Sequence, residues 1–148
     1  LYLNRLTTLS DTVAEALAKH EGWRLCLNGL TTLSDTVAEA LAKHHGWRLC
    51  LNGLTTLSDT AAEALAKYTG GLELNGLITL SDTAAEALAK NEGGLELNGL
   101  TTLSDNAAEA LAKHEGDLHL NCVTTLSDKA AQALAKYKGM LYLKGMGA

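Results

Sequence analysis

The chain has 148 residues, a formal net charge of −5 and 47% hydrophobic side chains. The charge is uneven, because residues 49–117 hold eleven acidic and three basic side chains, a net of −8. This acidic middle argues against binding to nucleic acid and would suit a basic protein partner. No apolar run approaches the roughly 20 residues that span a bilayer, so we expect no membrane insertion.

One unit of 23 or 24 residues recurs along the chain. A period of this length is typical of solenoids, in which each repeat packs only against its neighbours. We therefore predict a single solenoid over residues 1–148. The predicted repeats cover residues 1–24, 25–48, 49–71, 72–94, 95–117 and 118–140, with a partial copy at 141–148.

Each unit begins with Leu-x-Leu, as at Leu49 and Leu51 in the third repeat. Two leucines around a variable residue predict a short strand with one buried face, and about seven such strands would form a parallel sheet. The middle residue differs between repeats, so we expect it to point outward. An Asn-Gly pair, here Asn52 and Gly53, follows the strand and predicts a turn.

A helix is predicted after the turn. In the third repeat either Ser58 or Asp59 can cap its first turn, and Leu65 then lies at the centre of a buried stripe. Alanines on the two flanks of the helix would face the helices of neighbouring repeats. Gly70 is predicted to end the helix.

The run LxLxxLTxLSDxAAxALAxxxG resembles the leucine-rich repeat family, in the form of bacterial repeats found in long tandem arrays. The resemblance covers the whole chain. It implies an α/β solenoid, a right-handed superhelix with a parallel β-sheet on the concave face and helices on the convex face. It also implies a recognition scaffold and supplies no catalytic residues. The usual family pattern has Asn at position six of the unit, whereas this chain has Asn at position four.

The concave sheet is the predicted binding surface. Two columns of outward residues would face a protein partner, one just before the first Leu of each unit and one just after it. The candidate binding residues are Tyr2, Arg24, Cys26, Arg48, Cys50, Glu73, Glu96, Asp117 and His119. The alternative is that these are solvated positions, free to vary.

Trp23 and Trp47 occur only in the two longer units. Strand parity places them on the leucine side at the edge of the sheet, where we expect them to stack on each other and cover the end of the core. The alternative is an aromatic hot spot for a partner, because Trp and Arg are enriched in hot spots and Arg24 and Arg48 are adjacent.

Cys26 and Cys50 occupy one column on neighbouring predicted strands, and their Cα atoms are expected to lie about 5 Å apart. We expect two reduced thiols, because a disulfide between parallel strands in register would be strained. A metal would need further ligands beside the two thiols, and we predict no metal and no cofactor. The side chains at position 20 of the unit, such as His44 and Tyr68, are predicted to pack along the inner edge of the helix.

The leading hypothesis is a non-enzymatic scaffold that binds a protein partner on its concave sheet. Repetition explains the Ser-Asp pairs as helix starts, and no nucleophile elbow, P-loop or Rossmann fingerprint occurs. One alternative is a self-assembling structural block that stacks end to end through uncapped repeats. Another is the recognition segment of a larger protein whose catalytic domain lies outside this sequence.

Overall fold

A computed structural model of the chain describes residues 1–144. Six short helices alternate with six strands of one parallel sheet, an α/β arrangement that fits a repeat solenoid. The helices are α1 (Asp11–Ala18), α2 (Asp35–Leu41), α3 (Asp59–Leu65), α4 (Asp82–Leu88), α5 (Asp105–Leu111) and α6 (Asp128–Leu134). The strands are β1 (Arg24–Cys26), β2 (Arg48–Cys50), β3 (Gly71–Glu73), β4 (Leu95–Glu96), β5 (Leu118–His119) and β6 (Leu141–Tyr142). The predicted partial copy at 141–148 ends outside the described residues.

The strands follow the order of the chain, and each pairs with the next in parallel. Equivalent residues are partners across the sheet, so that Leu49 pairs with Leu25 on one side and with Leu72 on the other. The first of the seven predicted strands is reduced to a single bridge between Tyr2 and Cys26. This register places the same position of every repeat in one column.

The core runs between the sheet and the helices as one apolar cluster. In the third repeat Leu49 and Leu51, around the end of β2, and Leu65, in α3, are all fully buried. Ala62 and Ala64 on the flanks of α3 are also buried, as the sequence predicts. Because alanine is small, neighbouring helices can pack closely along the stack.

Each helix begins after a serine cap. Ser58 Oγ accepts a hydrogen bond from Ala61 N at 3.0 Å, which identifies the serine as the cap. Helix α3 already ends at Leu65, so the prediction that Gly70 ends the helix is wrong. Gly70 meets a different need, because a Cβ atom there would lie 2.5 Å from the Trp47 carbonyl oxygen of the preceding repeat.

The cap serines also join neighbouring helices. Ser81 Oγ donates to Asp59 Oδ1 at 2.5 Å, and Ser104 Oγ donates to Asp82 Oδ1 at 2.6 Å. The hydrogen bond from Ser104 lowers the pKa of the Asp82 carboxyl. Ser58, Ser81, Ser104 and Ser127 therefore each serve their own helix and the helix before it.

Candidate functional site on the sheet face

The predicted binding residues lie along the sheet face that turns away from the leucines. In β1, Leu25 belongs to the core cluster, and alternation along the strand directs Arg24 and Cys26 to the opposite side. We call this opposite side the polar sheet face. It carries the two predicted columns. The one before the first Leu of each unit is Arg24, Arg48, Gly71, Gly94, Asp117 and Met140, and the one after it is Tyr2, Cys26, Cys50, Glu73, Glu96, His119 and Tyr142.

Two arginines lie across the strands in the first part of this face. Arg24 Nε donates to Cys50 Sγ at 3.2 Å, and Arg24 Nη2 donates to Glu73 Oε2. Arg48 repeats the arrangement one strand further on, where its Nη1 donates to Glu96 Oε2 at 2.6 Å. Each arginine thus reaches a glutamate two strands away, and we call these five residues the paired half of the face.

Glu73 is the centre of the paired half. Its carboxylate accepts hydrogen bonds from Arg24, from Arg48 at 3.3 Å and from Asn52 Nδ2 at 3.0 Å. Burial by itself would raise the pKa of Glu73, but the hydrogen bonds from Asn52 and Arg24 and the charge of Arg24 outweigh it, and the pKa lies below its ordinary value. Glu73 is therefore ionised at neutral pH, and its charge is compensated within the chain.

The paired half is less accessible than the sequence predicts. Outward-pointing, solvated side chains are expected at Cys26, Cys50 and Glu73, yet these residues are 3%, 1% and 7% exposed. The expectation is wrong because the long side chains of Arg24 and Arg48 extend over the sheet and cover shorter neighbours.

The three cysteines are free thiols, as predicted for the neighbouring pair Cys26 and Cys50. Burial raises the pKa of the Cys50 thiol to about 12, although the hydrogen bond from Arg24 acts in the other direction. Since the thiolate is the reactive form, Cys50 is not a nucleophile at neutral pH. Cys122 differs from both, because it is exposed.

On the polar sheet face of the described residues, no ion pair lies beyond Glu96. Gly94 occupies the column position that arginine fills in β1 and β2, and a Cβ atom added there would meet nothing closer than Asp117 Cβ at 3.8 Å. Asp117 is exposed and makes no ion pair in the part of the chain that the structure describes. His119 stacks on Tyr142 with ring centroids 4.2 Å apart. We call Gly94, Asp117, His119 and Tyr142 the open half of the polar sheet face.

Trp23 and Trp47 stack with ring centroids 4.9 Å apart, as predicted. They are 73% and 71% exposed, so the prediction that they cover the end of the core is wrong. The two tryptophans precede β1 and β2, and the amides of Trp47 and Arg48 both donate to the Trp23 carbonyl oxygen. Tyr2, 67% exposed, adds another aromatic surface at this end.

An asparagine ladder runs beside the sheet, and the sequence analysis did not predict it. The amide of Asn28 donates to Asn4 Oδ1 at 3.0 Å, and the amide of Asn52 donates to Asn28 Oδ1 at 2.8 Å. The series continues through every later repeat and ends where Lys144 N donates to Asn121 Oδ1. The available signal was the presence of Asn at position four in all six full units.

The side chains at position 20 form a second column, most of it buried as predicted. Tyr68 OH donates to the Gly46 carbonyl oxygen at 2.7 Å, and Asn91 Nδ2 donates to the Tyr68 carbonyl oxygen at 2.7 Å. His44 is 1% exposed, and within residues 1–144 neither ring nitrogen has a partner in good hydrogen-bond geometry. Burial lowers the pKa of His44 and outweighs the backbone of Ala18, which acts in the other direction, so His44 is neutral at pH 7. His20, in the first repeat, is exposed and departs from the prediction.

No protein-family model matches the chain, and no curated protein does. Over residues 1–144, no group of three or more His, Cys, Asp or Glu side chains is placed to hold a metal ion. No helix in that range combines the length and the apolar character needed to cross a membrane.

Proposed function

We propose that this chain is a leucine-rich repeat solenoid and a non-enzymatic scaffold that binds a protein partner on its sheet. In this proposal the solenoid is a right-handed superhelix with the sheet on its concave face and the helices on its convex face. Neighbouring parallel strands lie about 4.8 Å apart, whereas packed helices lie about 8–10 Å apart. A stack that is wider on its helix side bends toward its strands, which supports the concave placement of the sheet.

The observation that carries the proposal is the separation of repeated and variable residues. Repeated leucines and alanines form the core, and repeated serines and asparagines join neighbouring repeats. On the polar sheet face, by contrast, adjacent residues differ from repeat to repeat. A row of adjacent variable side chains is suited to recognition of a partner.

Within this face the open half is the better binding region. Glu73 and Glu96 already hold Arg24 and Arg48, so a partner would have to break these ion pairs to use them. Asp117 is exposed and carries an uncompensated charge. The net charge of −8 over residues 49–117 would attract a basic partner and speed its association.

A random-peptide library displayed on phage tests the proposal. Peptides are selected on the unaltered chain, and their affinities are then measured for two variants with the same charge change. Asp117→Lys alters the open half, whereas Glu86→Lys alters an exposed position on α4. We expect about a tenfold or larger loss of affinity for D117K, equivalent to about 1.4 kcal/mol, and little change for E86K. Peptides that respond to E86K and not to D117K would contradict the proposal.

End-to-end assembly is a second candidate, favoured by apolar side chains on the first repeat. Val13 in α1 is 44% exposed, whereas the equivalent Val37 in α2 is 4% exposed, since α1 covers it. A second copy that placed its last repeat against α1 would bury Val13 in the same way. Light scattering across a concentration series should show a rising mass for the unaltered chain and a constant mass for Val13→Lys. A constant monomer for both would rule this candidate out.

A further inference from the structure

We propose that the open half holds an arginine side chain of the protein partner, in a guanidinium site formed over Gly94 by Asp117, with Glu96 of the paired half beside it. The inference rests on the proposed function and specifies the chemistry of the partner. Its basis is an arrangement that the chain already makes twice with its own arginines.

Arg48 shows how a guanidinium group lies on this face. Its side chain passes over Gly71, where an added Cβ atom would be 3.4 Å from Arg48 Cζ. It then donates to Glu96 Oε2 at 2.6 Å. Arg24 crosses from β1 to Glu73 in the same manner. The sheet face therefore accepts a planar cation that lies over the strands with its nitrogens directed at a carboxylate.

Gly94 continues the arginine column without a side chain. Gly71, the previous member of the column, is covered by Arg48, whereas the nearest atoms around an added Cβ at Gly94 belong to Asp117, at 3.8 and 3.9 Å. The face thus has room for a planar group above Gly94. A group entering there would lie between β3 and β5, beside the end of the last internal arginine.

Two carboxylates flank this space. Asp117 lies directly across from Gly94, because the amide of Leu95 donates to the Asp117 carbonyl oxygen at 2.8 Å. Both carboxylate oxygens of Asp117 can take the two parallel N–H groups of a guanidinium. Glu96 adds a second negative charge, although Arg48 and Asn75 already donate to its two oxygens.

The neighbouring aromatic pair favours arginine over lysine. His119 is the register partner of Glu96, and its ring is stacked on that of Tyr142. A guanidinium group is planar, stacks on ring faces and binds carboxylates through two hydrogen bonds, whereas an ammonium group is a strongly hydrated point charge. The open half therefore carries a carboxylate and aromatic rings, the two kinds of group that distinguish arginine from lysine.

The first test places a guanidinium in the site covalently. Gly94→Arg places an arginine in the column of Arg24 and Arg48, directly across from Asp117, and Gly94→Gln is the matched variant without charge. We expect G94R to melt about 2 °C above G94Q at low salt, the size of one exposed ion pair in a domain of this length. The difference should vanish when Asp117→Asn is added to both. Equal melting temperatures, or a difference that survives D117N, would overturn the guanidinium site.

The second test uses a free probe. N-acetyl-arginine methylamide is titrated into the ¹⁵N-labelled chain, with N-acetyl-lysine methylamide as the comparison. We expect saturable shifts at the amides of Gly94, Glu96, Asp117 and His119 for the arginine probe, at least threefold smaller shifts for the lysine probe, and none in G94R. Equal shifts for both probes would overturn the preference for arginine.

The phage selection separates this inference from the proposed function. Selected peptides that depend on Asp117 and are rich in arginine support both. Peptides that depend on Asp117 but contain no arginine would leave the sheet face as the binding surface and overturn the guanidinium site. Peptides that ignore Asp117 would contradict the inference and the proposed function together.

Discussion

Tyr68 and His44 stack with ring centroids 6.2 Å apart in one buried column, but only Tyr68 has a hydrogen-bond partner for its polar atom. Asn91, at the same position of the next repeat, also satisfies its side chain, since it donates to two carbonyl oxygens and accepts from Gly93 N. Leaving a buried polar group without a partner costs about 1–3 kcal/mol. The position-20 column thus holds an imidazole, a phenol and an amide at equivalent positions, and their hydrogen bonding can be compared directly.

Replacing His44 by Tyr should stabilise the chain. The new hydroxyl is expected to donate to the Gly22 carbonyl oxygen, as Tyr68 does one repeat later to that of Gly46. We expect the free energy of unfolding at pH 7, measured in urea, to rise by about 1 kcal/mol. His20→Tyr is the control, because His20 is exposed and should show little change. A loss of stability specific to H44Y would mean that the column cannot hold a second tyrosine there.

Protonation of His44 should lower the stability of the chain as the pH falls. Burial sets the pKa of His44 in the folded chain below its ordinary value of 6.5, so the unfolded chain takes up the proton first as the pH decreases. The contribution of neutral His44 is therefore complete above pH 6.5 and is lost below it. We expect the fall in unfolding free energy between pH 7.5 and 5.5 to shrink in H44Y and to persist in His45→Asn, which alters an exposed neighbour. Identical pH profiles for the unaltered chain and H44Y would refute this origin.

Glu73→Gln should weaken the paired half. The substitution keeps the shape of the side chain but removes the charge that holds Arg24 and Arg48, and we expect a loss of about 1–2 kcal/mol of unfolding free energy. Glu96→Gln should cost less, since the Glu96 side chain is 21% exposed against 9% for Glu73. Urea unfolding checks whether the loss of unfolding free energy is larger in E73Q than in E96Q. A larger loss in E96Q would contradict the central role of Glu73.

The same carboxylate predicts an acid dependence. The pKa of Glu73 in the folded chain is below its ordinary value of 4.5, so its contribution is present above pH 4.5 and is lost as the pH falls further. In E73Q the decrease in stability below pH 4.5 should be smaller than in the unaltered chain. An unchanged decrease would assign the acid sensitivity to other carboxylates.

Substituting two cap serines separates the stability gained from capping a helix from the stability gained by linking two repeats. Ser81 accepts from Ala84 N and donates to Asp59, whereas Ser10 accepts from Val13 N and, within residues 1–144, donates to no aspartate. Ser10→Ala should therefore cost about 1 kcal/mol, the usual value of a cap, and Ser81→Ala should cost more. Equal losses in thermal or urea unfolding would show that the hydrogen bond to Asp59 adds nothing.

Thiol titration should divide the cysteines into two classes. Cys122 is exposed, whereas Cys26 and Cys50 are buried, and burial raises the pKa of Cys50 to about 12. Because the thiolate is the reacting species, we expect one fast equivalent in the folded chain with an aromatic disulfide reagent, and three after denaturation. The Cys122→Ser variant should lose the fast equivalent. Fast reaction of two or more thiols in the folded chain would contradict the burial of the pair.

Most of the fold was predictable because the same pattern of buried positions recurs in every repeat. Leu49 and Leu51 are buried and paired as their spacing indicates, and the alanine flanks of α3 are buried as expected. Errors arose where a neighbouring repeat changes the role of a residue. Gly70 was assigned to the end of a helix, but it is needed for close approach to the carbonyl of Trp47 in the preceding repeat.

The candidate site was less predictable, since its accessibility depends on contacts between residues far apart in the chain. The sequence placed Arg24, Cys50 and Glu73 in outward columns. Alternation along a strand predicts which face a residue lies on but not how far its side chain extends. It therefore does not predict that Arg24 reaches Glu73 on the third strand and covers Cys50. The division of the face into a paired half and an open half follows from such contacts alone.

The sequence by itself determined the repeat, its register and the identity of the core residues, because a hydrophobic pattern with a constant period admits one way of stacking. The tertiary structure decided which side chains of the polar sheet face remain available. Arg24 and Arg48 are held by Glu73 and Glu96, whereas Asp117 stays open. The physical reason is that a flexible arginine pairs with a carboxylate that is close in space. The strands bring the two groups together only when the sheet is assembled.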